Sequence, residues 1–201
     1  MNVFFVSPGR TGTKSISRVL KTIDGFTSLH ESRVQELGES RIEYPDNHLE
    51  SDNRLTWFMP QLTKKYSDKA LLVIVHRDRE EVARSYNDRW YKINIMKGYS
   101  QGILLRDLSD NNLDVCRDYV NHVYTTLDYF KDSWKNVIEM NIKDPDEGIR
   151  GVLEFIGKED YFEEVIKELK TRRSNKTKKS FKFRLSDFKF NMRNVLHDLF
   201  G

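Results

Sequence analysis

At 201 residues, with 38% hydrophobic and 12% aromatic side chains, the chain suits one domain (1–201) around a single packed core, and its 32% charged fraction describes a solvated surface rather than disorder. A net charge of +3 excludes a general polyanion binder, and one cysteine, Cys116, excludes an intrachain disulfide and a cysteine-based zinc cluster. No apolar run reaches membrane-crossing length and MNVFFVS is too short for a leader, so a cytoplasmic protein with no membrane span is expected.

Val3 to Val6 is apolar on both faces, which predicts a central parallel strand. Ile16, Val19, Leu20 and Ile23 at helical spacing predict a helix from about Thr13 to Ile23. Phe26 to Leu29 reads as a second, shorter strand ending at His30-Glu31. From about Arg33 to Asn53 the chain is polar and weakly periodic, and only fragments of helix are expected there. Leu55, Phe58, Met59, Leu62 and Tyr66 form a helical stripe. Ala70 to Val75 follows, the strongest strand in the sequence, continuous and β-branched.

After the charged turn His76-Arg77-Asp78-Arg79, a helix is expected from Glu80 to about Ile95. A surface loop containing Gly98 and Gly102 comes next. Leu113 to Trp134 reads as a long helix carrying Cys116, and Val137 to Met140 as a strand. Asp144-Pro145 opens a helix with Ile149, Val152, Leu153 and Ile156, which Gly157 stops. Tyr161 to Leu169 adds another. A basic segment spans about 170–186, with eight cations from Lys170 to Arg184 and no acid, and a terminal helix is expected over about 190–200.

Strands alternating with helices imply parallel strands and right-handed crossovers, hence a three-layer α/β domain with a central parallel sheet flanked by helices. Ligands of such sheets bind beyond the carboxyl ends of the strands. Two suspicious loops belong there: Ser7 to Lys14 and His76 to Arg79. In the first, Gly9 and Gly12 allow the backbone to curl with its amides inward. Thr11, Thr13 and Ser15 supply hydroxyls, Arg10 and Lys14 supply charge, and the collection makes a phosphate site. A nucleoside-triphosphate P-loop needs G-x-x-x-x-G-K-[ST]; Lys14-Ser15 fits its end, but Pro8 and Thr13 stand where its glycines belong.

Pro8-Gly9-Arg10-Thr11-Gly12-Thr13-Lys14 resembles the 5′-phosphosulfate loop of the sulfotransferase family, which uses 3′-phosphoadenosine 5′-phosphosulfate (PAPS) on a P-loop-like fold. The family's second motif is an Arg at the end of the next long parallel strand with a Ser eight residues later, and Arg77 and Ser85 match it; Arg79 replaces a common proline. A third likeness runs from Val137 to Gly157, with a D-P helix start and an F-I-G ending.

The resemblance implies transfer of a sulfuryl group from PAPS to a hydroxyl or amine of a small-molecule or glycan acceptor, with adenosine 3′,5′-bisphosphate released and no metal needed. By the same resemblance Arg10 takes the catalytic cation's place, Gly9 to Ser15 hold the 5′-phosphate, and Arg77 and Ser85 hold the 3′-phosphate. Arg173 and Lys176 of the basic segment are assigned to a loop over that phosphate, although the family's usual R-K-G-x-x-G form is absent. Phe181 and Phe183 alone do not make a nucleic-acid stacking surface, so no nucleic-acid partner is expected.

A general base is also required. His30 and Glu31, at the end of the second strand, are the candidates, with His48, Glu50 and Asp52 as outside choices. Trp57, Trp90, Tyr91 and Tyr99 are available to an acceptor pocket or to the core. Two other readings stay open: a P-loop kinase dependent on magnesium, and an inactive nucleotide-binding module of the same fold.

Overall fold

The apolar run at the start of the chain becomes strand β1 (Asn2–Val6), buried along its length. The computed structural model describes residues 1–90, 94–106 and 112–171. The basic segment from residue 172 onward, the terminal helix expected near 190–200, and Arg173, Lys176 and Tyr91 lie outside these. Strand β1 is flanked on one side by β4 (Ala70–His76) and on the other by β3 (His48–Ser51). The strands β2 (Thr27–His30) and β5 (Asn136–Asn141) form the edges. All four pairings are parallel, and the order is β2-β3-β1-β4-β5.

Alternation along the central strands divides the core into two layers. Phe4 and Val6 of β1 and Leu72 and Ile74 of β4 face one side. They pack there with residues of α2 (Met59–Tyr66), α3 (Arg79–Asn87) and α5 (Asn112–Lys131). Val3, Phe5, Leu71, Val73 and Val75 face the other. There they meet α1 (Thr13–Val19), α6 (Asp146–Ile156) and the helix over 162–171. This is why both strands read as unbroken apolar runs: each residue is covered whichever way it points.

The expected three-layer α/β architecture is present, with one strand the sequence did not reveal. Strand β3, His48-Leu49-Glu50-Ser51, falls where only helix fragments are expected, and it separates β2 from β1. All four of its residues are buried. Two of its polar side chains pair: His48 Nε2 lies 3.0 Å from Glu50 Oε2, and His48 Nδ1 2.6 Å from Thr27 Oγ1. Just beyond, the buried Asp52 meets the buried Arg41 guanidinium at 2.5 Å. Hydrophobic periodicity cannot register a strand two of whose buried side chains are polar and hydrogen-bonded to each other.

Smaller differences have local causes. Helix α3 stops at Asn87 instead of running to Ile95, and a short α4 (Asn94–Lys97) continues into a π-helical turn over Gly98–Ile103, where a loop is expected. Helix α1 tightens into a 3₁₀ turn over Leu20–Thr22. Gly157, at φ 66, ends α6 in the left-handed conformation that suits glycine. Cys116 is fully buried, and burial pushes its thiol up to about 12. Among the described residues, no helix is long and apolar enough to cross a membrane.

Candidate functional site

The loop after β1 is built around Ser7, a buried residue whose Oγ accepts from the Gly9 amide at 3.0 Å and from Thr11 Oγ1 at 2.7 Å. Gly9, Arg10 and Gly12 all take positive φ (88, 60 and 85°), so the chain winds left-handed through the turn. Arg10 adopts that conformation without being glycine, at a cost on the order of 1–3 kcal/mol that its surroundings must offset. Two buried tyrosines fix the turn from below. Tyr86 and Tyr119 both donate to the Pro8 carbonyl, at 2.5 and 3.0 Å. Burial raises the Tyr86 hydroxyl well above the ordinary tyrosine range, so it remains a donor. Among the described residues the amides of Arg10 through Lys14 have no acceptor. A curl of unpaired amides is a concavity for an oxyanion.

The turn after β4 adjoins this loop. Arg77 donates through Nη1 to the Arg10 carbonyl at 2.8 Å and through Nε to Glu81 Oε2 at 3.1 Å. Its own amide donates to Tyr124 Oη at 3.2 Å. Asp78 caps α3 by accepting from the Glu81 amide at 2.8 Å, which does the work of helix initiation that the missing proline would share. Arg10 Nε reaches Ser85 Oγ at 3.1 Å, so the two sequence motifs, 75 residues apart, meet side chain to side chain. Burial and the nearby Arg89 and Arg77 charges lower the Arg10 guanidinium from its usual range, although Tyr86 acts against them. A half-buried cluster of like charges of this kind favours an anion.

The third wall comes from the ends of β2 and β3. The Glu31 amide donates to the Ser51 carbonyl at 3.1 Å, and Glu31 takes φ 55°. Its Oε1 is 2.5 Å from Arg54 Nη1, and its Oε2 is 3.9 Å from His30 Nδ1. Beneath them Glu50 accepts from the Ser32 amide at 3.0 Å and, in a short hydrogen bond, from the Ser32 hydroxyl. Burial pushes the Glu50 carboxyl up, but hydrogen bonds from His48 and Ser32 outweigh it and leave the carboxyl below its ordinary range.

These walls enclose a cleft of about 570 Å³ at the carboxyl edge of the sheet. Gly9 through Ser15, His30, Glu31 and Arg77 all line it, and Ser85 is joined to it through Arg10. Asn53, Arg54, Glu81, Tyr86 and Lys143 also line it and were not singled out from sequence. Glu81 and Lys143 carried a signal, since Glu81 lies one helical turn beyond Arg77 and Lys143 follows β5 at the ligand edge. Asn53 and Arg54 carried none, because the strand that delivers them was not recognised. Trp90 and Tyr99 are buried in the core, while Trp57 is partly exposed and stacks on His122.

A parallel sheet with two loops meeting at its carboxyl edge is the P-loop-like α/β architecture, and solved structures narrow it. The sulfotransferase domain from the curacin biosynthetic pathway matches 77% of this chain over 73% of its own length, with a TM-score of 0.52 at 12% identity. Mouse sulfotransferase SULT7A1, solved in complex with PAP, matches 85% of this chain over 64% of its own, with a TM-score of 0.54 at 16% identity. The chain thus spans a little under two thirds of the mouse protein. No protein-family model and no curated protein matches the chain. The chain has the sulfotransferase fold.

Proposed function

We propose that the chain is a PAPS-dependent sulfotransferase that moves a sulfuryl group to a hydroxyl or amine of a small-molecule or glycan acceptor and releases adenosine 3′,5′-bisphosphate. The observation that carries this reading is the junction of the two motifs. Arg77 bonds the Arg10 carbonyl and Arg10 bonds Ser85, so the loop after β1, the turn after β4 and α3 meet in one cationic surface, which suits a ligand with two anionic groups. A nucleotide phosphorylated at both ends needs such a pair. PAPS, when bound, supplies the activated sulfuryl group. The amides of Arg10 through Lys14, with the Thr11 and Thr13 hydroxyls, are suited to its 5′-phosphate. Arg77 and Ser85 are suited to the 3′-phosphate, through a planar fork and a hydroxyl.

In this reading Arg10 stabilises the negative charge that grows on the departing phosphate, a task of fixed positive charge and positioning. His30 takes the acceptor's proton at Nε2. Its Nδ1 faces Glu31 Oε2, and Glu31 is tied in turn to Arg54, so the carboxylate orients the ring and balances the charge it gains. Arg173 and Lys176 keep their assignment beside the 3′-phosphate. The reading includes a cytoplasmic location and one domain for the whole chain.

Thermal unfolding with adenosine 3′,5′-bisphosphate, set against ATP with magnesium, tests it. Ligand at a hundredfold excess over Kd adds about 2.7 kcal/mol, a rise of roughly 5–10 °C at this size. A rise with the bisphosphate that disappears in Arg77→Ala supports the reading. A rise with magnesium-ATP alone would replace it by a kinase.

A further inference from the structure

The Glu81 carboxylate lies between two cations at the rim of the cleft. Its Oε2 accepts from Arg77 Nε at 3.1 Å and its Oε1 from Lys143 Nζ at 2.6 Å. The three groups come from three elements: the end of β4, the first turn of α3, and the connection between β5 and α6. Glu81 lies four residues after Arg77 and four before Ser85, so all three share one face of the turn and helix. All but Ser85 line the cleft directly.

The Arg77 side chain and the backbone that carries Lys143 are each held by bonds that do not involve Glu81. Arg77 is held by the Arg10 carbonyl and, through its amide, by Tyr124 Oη. The backbone beside Lys143 is held by Ile142 N donating to the His76 carbonyl at 2.9 Å and Lys143 N donating to Asn141 Oδ1 at 2.9 Å. The carboxylate therefore sits between two cations whose points of attachment are fixed without it. The cations in turn hold the Glu81 carboxyl below its usual range, Lys143 foremost and then Arg77.

We propose that Glu81 is an internal stand-in for the nucleotide's 3′-phosphate, and that Lys143 is a further ligand of that phosphate beside Arg77 and Ser85. The inference rests on the PAPS reading above. A phosphate with up to two charges and three acceptor oxygens takes Arg77 and Lys143 from a single carboxylate, whereas a 3′-hydroxyl does not. Between turnovers the carboxylate keeps the cations paired and placed. Its return to them opposes the bound bisphosphate and hastens its release.

The test is calorimetric binding of adenosine 3′,5′-bisphosphate and of AMP to the full chain, in wild type, Glu81→Gln and Lys143→Met. The expected result is bisphosphate binding roughly tenfold tighter in Glu81→Gln and roughly tenfold weaker in Lys143→Met, each a shift of about 1.4 kcal/mol. AMP, which lacks the 3′-phosphate, should change by no more than about twofold in either variant. Unchanged or weaker bisphosphate binding in Glu81→Gln would overturn the stand-in role. Equal losses for AMP and bisphosphate in Lys143→Met, or no loss, would overturn the ligand role. Failure of the underlying reading is visible in wild type alone, as binding of neither nucleotide or of both equally, and the inference would fall with it.

Discussion

Arg77 Nη1 donates to the Arg10 carbonyl oxygen at 2.8 Å, so a side chain at the end of β4 holds the backbone of the loop after β1. The bond falls on a residue at φ 60°, where a non-glycine backbone needs outside support. In the proposed reading Arg77 therefore has two tasks, recognising an anion and holding the loop that recognises the other one. Arg77→Lys keeps the charge but loses the fork that reaches Glu81 and the carbonyl together. It should weaken bisphosphate binding by about tenfold or more while lowering stability by only about 1 kcal/mol. Titration calorimetry beside thermal unfolding would measure both, and wild-type affinity in the lysine variant would remove the loop-holding role.

Gly9 is confined twice over. Its φ is 88°, and a Cβ placed there would overlap Tyr86 Oη, the group that donates to the Pro8 carbonyl. Gly9→Ala should destabilise by about 2–4 kcal/mol. Removing the hydroxyl with Tyr86→Phe should return part of that loss in the double variant, giving an interaction energy of at least about 0.5 kcal/mol in a mutant cycle. Strict additivity would mean that backbone strain, and not the tyrosine, dominates.

His30 and Glu31 carry different shares of the proposed proton transfer. His30→Ala should lower kcat by about 10²–10⁴-fold. Glu31→Gln retains a hydrogen-bonding group but loses the charge beside His30 and Arg54, so its loss should be smaller. Bisphosphate affinity should stay close to wild type in both, because neither residue belongs to the two proposed phosphate positions. A larger loss in Glu31→Gln than in His30→Ala would exchange their roles.

Glu50 ties Ser32, and with it the turn that carries His30 and Glu31, to β3. Its carboxyl is lowered in the folded protein, so its charged form contributes stability above the unfolded value, and that contribution is lost as pH falls through the folded value. Glu50→Gln should cost about 1–3 kcal/mol at pH 7. The gap from wild type should narrow as pH falls below about 4.5, the unfolded carboxyl value. Its neighbour Asp52 runs the other way: burial raises its carboxyl despite Arg41, so protonation there does not subtract stability. Melting curves from pH 7 to 3 would decide, and a constant gap would mean that the Glu50 charge is immaterial to the turn.

Arg41 and Asp52 form a pair with side chains 2% and 0% exposed, and Arg41 also lies over the Phe58 ring at 4.8 Å from its centroid. Arg41→Ala leaves a buried carboxylate without its cation and should cost about 3–5 kcal/mol. Arg41→Met with Asp52→Leu should recover most of it, which denaturant unfolding can measure. No recovery would show that the pair also shapes the start of the segment carrying Arg54, whose amide donates to Asp52 at 2.7 Å.

What the sequence determined by itself is the local part of this protein. Val3 to Val6 and Ala70 to Val75 are legible as strands because both faces are buried and the apolar run is unbroken. The loop from Ser7 to Ser15 is legible because left-handed turns, hydroxyls and cations are written in consecutive residues. Arg77 and Ser85 are legible as a pair only through the resemblance to the sulfotransferase family, whose second motif has an Arg at a strand end and a Ser eight residues later. The tertiary structure alone decided the rest. It inserted His48 to Ser51 between β2 and β1, because His48 and Glu50 are stabilised by each other and by Thr27 and Ser32, partners that hydropathy does not count. It also brought Arg77 to the Arg10 carbonyl, Arg54 to Glu31 and Lys143 to Glu81. Such contacts depend on which strand ends become neighbours, and parallel strands acquire neighbours only through crossovers whose order no local pattern encodes.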